Sequence, residues 1–392
     1  MSDTQKLMQV YLDNNAATKV DESVVEYMNK YHLEIYAVPS SQFSHTPGIH
    51  AKEGVDRARQ IIANKIGSKE SEIVFTSGFA ESNNLTLKGV AQANQDGKRN
   101  KIIVSSIEHF SVLHSAQRLS KNGYIVELIN VNEEGFIDLE HLQTLLDDKT
   151  LLVSVMHANQ EVGTIQDIKT ISEIVHSKGA IFHTDCTYSF LQTDIDVNDL
   201  GADLLTISAD LVHGPKGVGA LYVREGTKIE KIIDGGYQEN NLRGGPENVA
   251  GIAGFGRSVE IYKDEHTEKT RQLRDYLYRR IKEEIQDIQL NGSSDFSKRI
   301  ANNLNISFNR IEGESVVLHL DMRGIAVITG SACFSRSLQA SHVLLAMGFT
   351  HERAHGSIRF SPSRYNTEEE MEYTVQNLKE VVAKLRELSP IK

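Results

Sequence analysis

Apolar strands and amphipathic helices alternate through the middle of the chain, and this order restricts the fold more than any other feature. Strands are predicted at 102–105, 125–129, 151–156 and 180–183, with helices that begin near residues 111, 139 and 171. Repeated β-α-β units of this kind predict a mainly parallel sheet with helices on both faces. Ligands of such sheets bind at the carboxyl ends of the strands.

The length of 392 residues predicts about two domains. A long helical tract at roughly 249–285 connects the alternating region to a smaller α+β unit with strands at 304–308 and 357–361. We therefore expect a large domain at 18–261 and a small C-terminal domain at 262–392. The N-terminal segment 1–17 is expected to join the small domain.

The charge balance excludes some classes of partner. The chain has 42 Lys and Arg against 53 Asp and Glu, a net charge of −11. Such an acidic protein is a poor candidate for nucleic acid or an anionic membrane, because phosphate binding depends on clustered basic residues. Its two cysteines, Cys186 and Cys333, indicate a reducing compartment. No secretory leader or long apolar span is evident, so a cytoplasmic location is expected.

The stretch 204–220, LLTISADLVHGPKGVGA, contains the most informative motif. An apolar run at 204–207 predicts a buried strand, 208–213 forms the turn that leaves it, and 214–217 connects tightly to a second strand. This stretch resembles the cofactor-lysine segment of the NifS/IscS cysteine desulfurases, pyridoxal-phosphate (PLP) enzymes of the class V aminotransferase fold. In that family the turn reads roughly S-A-H-K-I-H-G-P-K-G, and its first lysine forms a Schiff base with PLP.

The resemblance extends from Tyr11 to Pro390 and includes motifs at 13–18, 75–84 and 243–248. It implies an α/β fold, the PLP-transferase fold type I, with a mainly parallel seven-stranded sheet in the large domain and a smaller α+β C-terminal domain. It also implies a homodimer, an iron–sulfur scaffold or other sulfur-acceptor protein as partner, and a set of site residues. His109 would stack on the coenzyme, Asn159 would contact its phenolic oxygen, Asp185 its pyridine nitrogen and Ser208 its phosphate. Arg359 would bind the carboxylate of the substrate, Asn14 would lie at the mouth of the site, and Cys333 would carry a persulfide.

Six positions depart from the family pattern. Leu211 replaces the Schiff-base lysine, and an imine cannot form on leucine. Three phosphate donors are replaced, by Ala80, Asp210 and Pro246, and Phe79 and Tyr188 add rings where PLP would lie. Each bond to a charged group contributes about 1.5 to 3 kcal/mol, so losing three costs about 4 to 9 kcal/mol. We therefore expect no cofactor and no metal.

Three functions follow from this combination. The first is a desulfurase homologue in sulfur mobilisation or iron–sulfur assembly that acts as a persulfide relay or scaffold through Cys333, without standard PLP chemistry. The second is an active cysteine desulfurase that binds PLP non-covalently. The third is a structural or regulatory partner of an active paralogue. A metal site built from Cys333, Asp210, His213 and Cys186 is a further alternative, although no tight ligand spacing supports it.

Overall fold

The computed structural model describes residues 7–330 and 340–389. The strands are β1 Val10–Tyr11, β2 Ile73–Thr76, β3 Lys101–Ser105, β4 Ile125–Ile129, β5 Thr150–Ser154, β6 Ile181–Asp185, β7 Leu204–Ser208, β8 Gly219–Val223, β9 Ile288–Asn291, β10 Leu304–Phe308, β11 Ile325–Ala326, β12 Ile328–Thr329 and β13 Ser357–Phe360.

The α-helices are α1 Glu22–Leu33, α2 Thr46–Ile66, α3 Phe79–Asn84, α4 Val90–Ala93, α5 Phe110–Ser120, α6 Leu139–Leu145, α7 Ile168–His176, α8 Val197–Leu200, α9 Gln238–Asn241, α10 Val249–Glu260, α11 Asp264–Glu284, α12 Gly313–Asp321, α13 His342–Ala346, α14 His351–His355 and α15 Glu368–Leu388. A π-helical turn, Leu85–Gly89, joins α3 to α4.

A seven-stranded sheet in the order β2-β8-β7-β6-β5-β3-β4 forms the centre of the large unit. Strands β4, β3, β5, β6 and β7 are parallel neighbours, and only β8 and β2 add antiparallel pairs. Every residue of β3, β5 and β7 is buried, which explains why these strands appear as continuous apolar runs. The predicted mainly parallel sheet is confirmed.

Helices cover both faces of this sheet and bury two separate apolar clusters. One cluster joins Ile103 and Val153 to α2, α7 and α10. The other joins Ile102 and Val104, which point to the opposite face, to the π-helical turn and α5. Because successive strand side chains alternate in direction, neighbouring residues of β3 belong to different clusters.

The C-terminal unit contains a four-stranded sheet in the order β12-β13-β10-β9, with antiparallel pairs throughout. Helices α11, α12 and α15 supply the rest of its apolar cluster. The N-terminal strand β1 pairs with β11 of this unit, and Asp13 forms a bridge with Ser361. These are the contacts expected of a segment that joins the small domain, whereas the boundary positions at 18 and 262 stay predictions. Within the described ranges, none of the helices has the length and apolar character that a membrane span requires.

Candidate active site

Four predicted site residues lie together at the carboxyl ends of the parallel strands. Asp185 ends β6 and Ser208 ends β7. His109 follows β3 and begins α5, and Asn159 follows β5. This edge of the sheet is where the fold places ligands.

Asp185 is fully buried and held by two donors. Its carboxylate accepts hydrogen bonds from Asn83 Nδ2 at 2.7 Å and from the Thr187 backbone N–H at 2.9 Å. Burial nevertheless raises the pKa of Asp185. Glu108, also buried, faces Asp185, and burial raises the pKa of Glu108 well above its usual value. Two acidic groups thus lie at this edge of the sheet, and burial disfavours the ionised form of both.

His109 is a neutral imidazole with a fixed orientation. Its Nδ1 accepts a hydrogen bond from the Ser111 backbone N–H at 3.0 Å and caps α5, so Nδ1 carries no proton. Burial lowers the pKa of His109 to about 4. The ring of Phe79 meets the His109 ring edge-on, with 4.9 Å between centroids, and lies 6.4 Å from the ring of Tyr188. One aromatic ring, Phe79, therefore contacts the histidine that was predicted to stack on a coenzyme, and Tyr188 lies on the far side of that contact, beside Phe79.

Leu211 lies in a short 3-10 turn, Ala209–Leu211, directly after β7. It packs against an apolar cluster formed by Met156, Ala158, Tyr188 and Ile300. A cavity lined by Leu211 and Asn14 has a volume of about 30 Å³, enough for about one water molecule. Lys216, the only nearby lysine in this motif, donates instead to the Thr18 carbonyl at 3.3 Å. An apolar contact therefore replaces the amine at this position.

The resemblance predicts a set of side-chain donors around the phosphate, which we call the phosphate cup. Of these donors only the Ser208 hydroxyl remains, and it already makes a hydrogen bond within the protein. Ser208 Oγ donates to Asp210 Oδ1 at 2.5 Å. Gly78, with φ of 140°, forms the turn opposite, and Gly219 packs so closely that a Cβ there would lie 2.8 Å from Gly78 Cα. The turn geometry of a phosphate site is present, but the Ser208 hydroxyl that would donate to an anion donates instead to the Asp210 carboxylate.

Three of the remaining predicted residues have structural partners. Arg359 is 2% exposed, and its Nη2 donates to Asp13 Oδ1 at 2.7 Å. Asn14 Nδ2 donates to the Ser361 carbonyl at 2.8 Å. Asn159 Oδ1 accepts from the Glu161 and Val162 backbone N–H groups, while its Nδ2 donates to the Ile107 carbonyl. These contacts fix the residues in place, and their roles toward a ligand stay predictions.

Comparison with known proteins supplies the family. Residues 10–374 match the model of aminotransferase class-V. The chain is 45% identical over 386 residues to a cysteine desulfurase IscS of Clostridium botulinum, covering 98% of this chain and 96% of the relative. It is 47% identical over 385 residues to cysteine desulfurase IscS 1 of Archaeoglobus fulgidus, covering 97% and 99%. The chain belongs to the NifS/IscS-type cysteine desulfurase family of class V aminotransferases.

Solved structures support the same assignment of this cysteine desulfurase homologue. A NifS-like protein superposes with a TM-score of 0.89 at 37% identity, covering 96% of this chain and 100% of that one. A second NifS-like protein, from Rickettsia africae, superposes with a TM-score of 0.85 at 32% identity, covering 95% and 99%. The predicted fold class is confirmed. Membership of this family favours PLP as a cofactor, which conflicts with the expectation of none.

The residues of this desulfurase homologue fit one half of PLP and not the other. Asp185 and His109 suit the pyridine ring, since a buried carboxylate holds a protonated ring nitrogen and an imidazole stacks on the ring. The aldehyde end lacks its partner because Leu211 is apolar. The phosphate end lacks its partner because the Ser208 hydroxyl already donates to Asp210. A carboxylate beside a phosphate dianion is repulsive. As a set, these residues do not fit a lysine-bound coenzyme.

Sequence reasoning missed several buried polar groups of this desulfurase homologue. Asn83 donates to Asp185, Asp13 pairs with Arg359, and Glu161 accepts from Ser341. Asp13 and Asn83 belong to the motifs at 13–18 and 75–84, but the partners of all three residues are more than one hundred residues away along the chain. Asn83 Oδ1 has no hydrogen-bond partner within the described residues.

The structure describes one of the two cysteines, Cys186. Cys333 lies outside the described residues, so its predicted role is not placed by the structure. Cys186 is fully buried, 3.8 Å from His157 Nδ1, and burial raises the pKa of the Cys186 thiol. In the ranges 7–330 and 340–389 no group of three or more His, Cys, Asp or Glu is arranged to hold a metal ion.

Proposed function

We propose that the chain mobilises cysteine-derived sulfur for iron–sulfur cluster assembly without a lysine-bound coenzyme, as a persulfide relay or scaffold through Cys333. One observation carries this proposal: Leu211 packs in an apolar cluster at the position where the family has its Schiff-base lysine. A homodimer, a sulfur-acceptor or scaffold protein as partner and a cytoplasmic location belong to the same proposal. The large exposed apolar side chains of Leu33, Tyr36, Phe43 and Tyr237 support the contact with other chains.

The relay requires one balanced step. The Cys333 thiolate attacks the terminal sulfur of a persulfide on a donor desulfurase. A sulfur–sulfur bond forms at Cys333 as the donor bond breaks, and the donor leaves as a thiolate. Neither an oxidant nor a reductant is consumed.

Mixing the protein with a persulfidated donor desulfurase is expected to add one sulfur atom to the peptide that contains Cys333, as measured by mass spectrometry. Cys333→Ala is expected to abolish the transfer. Cys186→Ala is the matched control and is expected to retain it, because the Cys186 thiol is buried and its pKa is raised, so little thiolate is available. Transfer that persists in Cys333→Ala contradicts the relay. Absence of any transfer also contradicts the relay and leaves the scaffold role or the third function, a structural or regulatory partner of an active paralogue.

The second candidate is an active cysteine desulfurase that holds PLP non-covalently. The names of the relatives, at 45% to 47% identity over nearly the whole chain, favour this candidate over the relay. The buried pair of Asp185 and Asn83 also supports it, since a carboxylate with a raised pKa is suited to share a proton with a ring nitrogen.

Equilibrium dialysis against PLP separates the two candidates. The loss of three charged hydrogen bonds is expected to weaken PLP binding about 10³- to 10⁶-fold relative to a family member with all donors. The protein is therefore expected to lose PLP on gel filtration and to release no alanine from cysteine. PLP retained at one equivalent per chain, together with alanine production, would establish the second candidate and contradict the first.

A further inference from the structure

Asp13 is the first residue of the motif at 13–18, and the resemblance assigned it no role. Its backbone forms a bridge with Ser361, which directly follows β13. Its carbonyl also accepts a hydrogen bond from the Tyr11 hydroxyl at 3.0 Å. These contacts hold Asp13 against the C-terminal unit, so its carboxylate has a defined position beside Arg359.

The ion pair between Asp13 and Arg359 uses only one oxygen of the carboxylate. Arg359 Nη2 donates to Asp13 Oδ1 at 2.7 Å, and Arg359 Nη1 donates to the Gln160 carbonyl at 3.4 Å. Arg359 Nε is buried and has no hydrogen-bond partner among the described residues, and none of those residues donates to Asp13 Oδ2. Because Nε shares its carbon atom with Nη2 and Oδ2 shares its carbon atom with Oδ1, an unused donor and an unused acceptor flank a single contact.

Burial and charge indicate what kind of ligand suits these two atoms. The Arg359 side chain is 3% exposed and the Asp13 side chain 17% exposed. A buried donor without an acceptor is unfavourable, so Nε is suited to an acceptor that a ligand supplies. The ion pair as a whole is neutral, and a ligand that is only an anion would be repelled by Asp13. A ligand that carries both charges would have each of them paired.

We propose that Asp13 and Arg359 together bind the zwitterion of a free amino acid. The α-carboxylate accepts a hydrogen bond from Arg359 Nε, and the α-ammonium group donates to Asp13 Oδ2. Asp13 is then a specificity-determining residue, which selects ligands with an amine beside the carboxylate over simple carboxylates. The inference rests on the proposed function only in that Arg359 receives the carboxylate of an amino acid.

Ligand-observed NMR titration at pH 7 with three small molecules tests the proposal on the native protein. L-alanine carries both charges, propionate lacks the ammonium group, ethylamine lacks the carboxylate, and none of them has a thiol. One hydrogen bond to a charged group changes affinity about 10- to 100-fold. Propionate and ethylamine are therefore each expected to bind about 10- to 100-fold more weakly than L-alanine.

Asp13→Asn separates ligand recognition from a structural role. Asparagine keeps the shape and can still accept from Arg359 Nη2, but an N–H donor replaces the second carboxylate oxygen. The ratio of L-alanine affinity to propionate affinity is expected to fall below about threefold, because the charged hydrogen bond to the ammonium group is lost. A purely structural role would change both affinities by the same factor and leave their ratio unchanged.

Asp21→Asn is the matched control. Asp21 also pairs with an arginine of the C-terminal unit, with Arg364 Nη2 at 2.7 Å from its Oδ2. Its other oxygen, Oδ1, accepts from the Ser23 backbone N–H at 2.9 Å. Both oxygens of Asp21 are already used, so its substitution is expected to leave the affinity ratio as in the native protein.

Circular dichroism checks that Asp13→Asn folds. If it does not, Asp13→Glu replaces it, since glutamate keeps the charge but displaces the accepting oxygen, and the ratio is again expected to fall. Equal affinities of the native protein for L-alanine and propionate, or an unchanged ratio in the Asp13 variant, would overturn the inference and leave the proposed function standing. An absence of L-alanine binding would overturn the inference together with the predicted role of Arg359, whereas persulfide transfer to Cys333 tests the relay independently.

Discussion

Arg59→Ala is expected to lower the free energy of unfolding by about 3 to 5 kcal/mol, because it leaves a buried carboxylate without its counter-ion. Arg59 lies on α2 and forms a bidentate pair with Glu239, with Nη2–Oε1 at 2.7 Å and Nη1–Oε2 at 2.9 Å. The Glu239 side chain is 3% exposed and the Arg59 side chain 14% exposed. The guanidinium also lies 4.7 Å from the ring centroid of Phe75. Denaturant unfolding followed by circular dichroism measures the loss.

Because of its position, the loss of this ion pair is also expected to disturb the candidate site. Glu239 Oε2 also accepts from the Phe75 backbone N–H at 2.7 Å, three residues before Gly78. Glu239 itself has a left-handed φ of 48° and lies in the segment that leads to Pro246. The pair therefore connects β2, the turn at Gly78 and the 243–248 motif.

Arg57→Ala provides the control on the same helix. Arg57 pairs with Glu260, but its side chain is 60% exposed, so its removal is expected to cost less than about 1 kcal/mol. Equal losses of unfolding free energy in the two variants would mean that burial of the Arg59–Glu239 pair contributes little. The expected loss for Arg59→Ala would then be wrong.

Much of the fold was predictable because its strands are buried on both faces and its helices are amphipathic. The sheet strands at 102–105, 125–129 and 204–207 differ from the observed bounds by one residue at most. Helices α3 and α4 are not one continuous helix, because the π-helical turn Leu85–Gly89 separates them. Gly89 packs against the Glu230 carbonyl, where a Cβ would lie only 2.4 Å away. Periodicity within one helix carries no information about such a distant contact.

The tract predicted at 249–285 shows the same limit. It consists of two helices, α10 and α11, separated at 261–263. Helix α10 is buried on nearly every side, whereas α11 buries one stripe. The apolar pattern predicts helix in both cases, but the break depends on how each helix packs.

The candidate site was predictable in position and less so in its bonding. Strand ends located His109, Asp185 and Ser208, since β-α-β topology brings these ends together. The pairing of Arg359 with Asp13 joins residues 346 positions apart, and no local pattern indicates it. The same holds for Ser208, whose hydroxyl is taken by Asp210 through the geometry of one turn. Residue types at the strand ends therefore located the site in the sequence, whereas its hydrogen bonds and ion pairs are seen only in the structure.

Leu211→Lys alone is expected not to produce desulfurase activity, measured as alanine released from cysteine in the presence of PLP. The new amine would lie against Met156, Tyr188 and Ile300, an apolar cluster that disfavours its charged form. A phosphate would still meet Asp210, whose carboxylate accepts the Ser208 hydroxyl. An amine without a phosphate cup gains at most a weak, reversible imine, so the single change removes one of several obstacles.

The combined substitution Leu211→Lys, Ala80→Thr, Asp210→His and Pro246→Thr is expected to tighten PLP binding by about 10³- to 10⁶-fold, through the return of three charged hydrogen bonds. Leu211→Met in the same background is the matched control, since it keeps the volume and supplies no amine. It is expected to retain PLP only non-covalently, whereas the lysine variant is expected to survive borohydride reduction with PLP attached. Full activity from Leu211→Lys alone would show that the phosphate cup still functions with Asp210 in it, and the electrostatic account of this pocket would then be wrong.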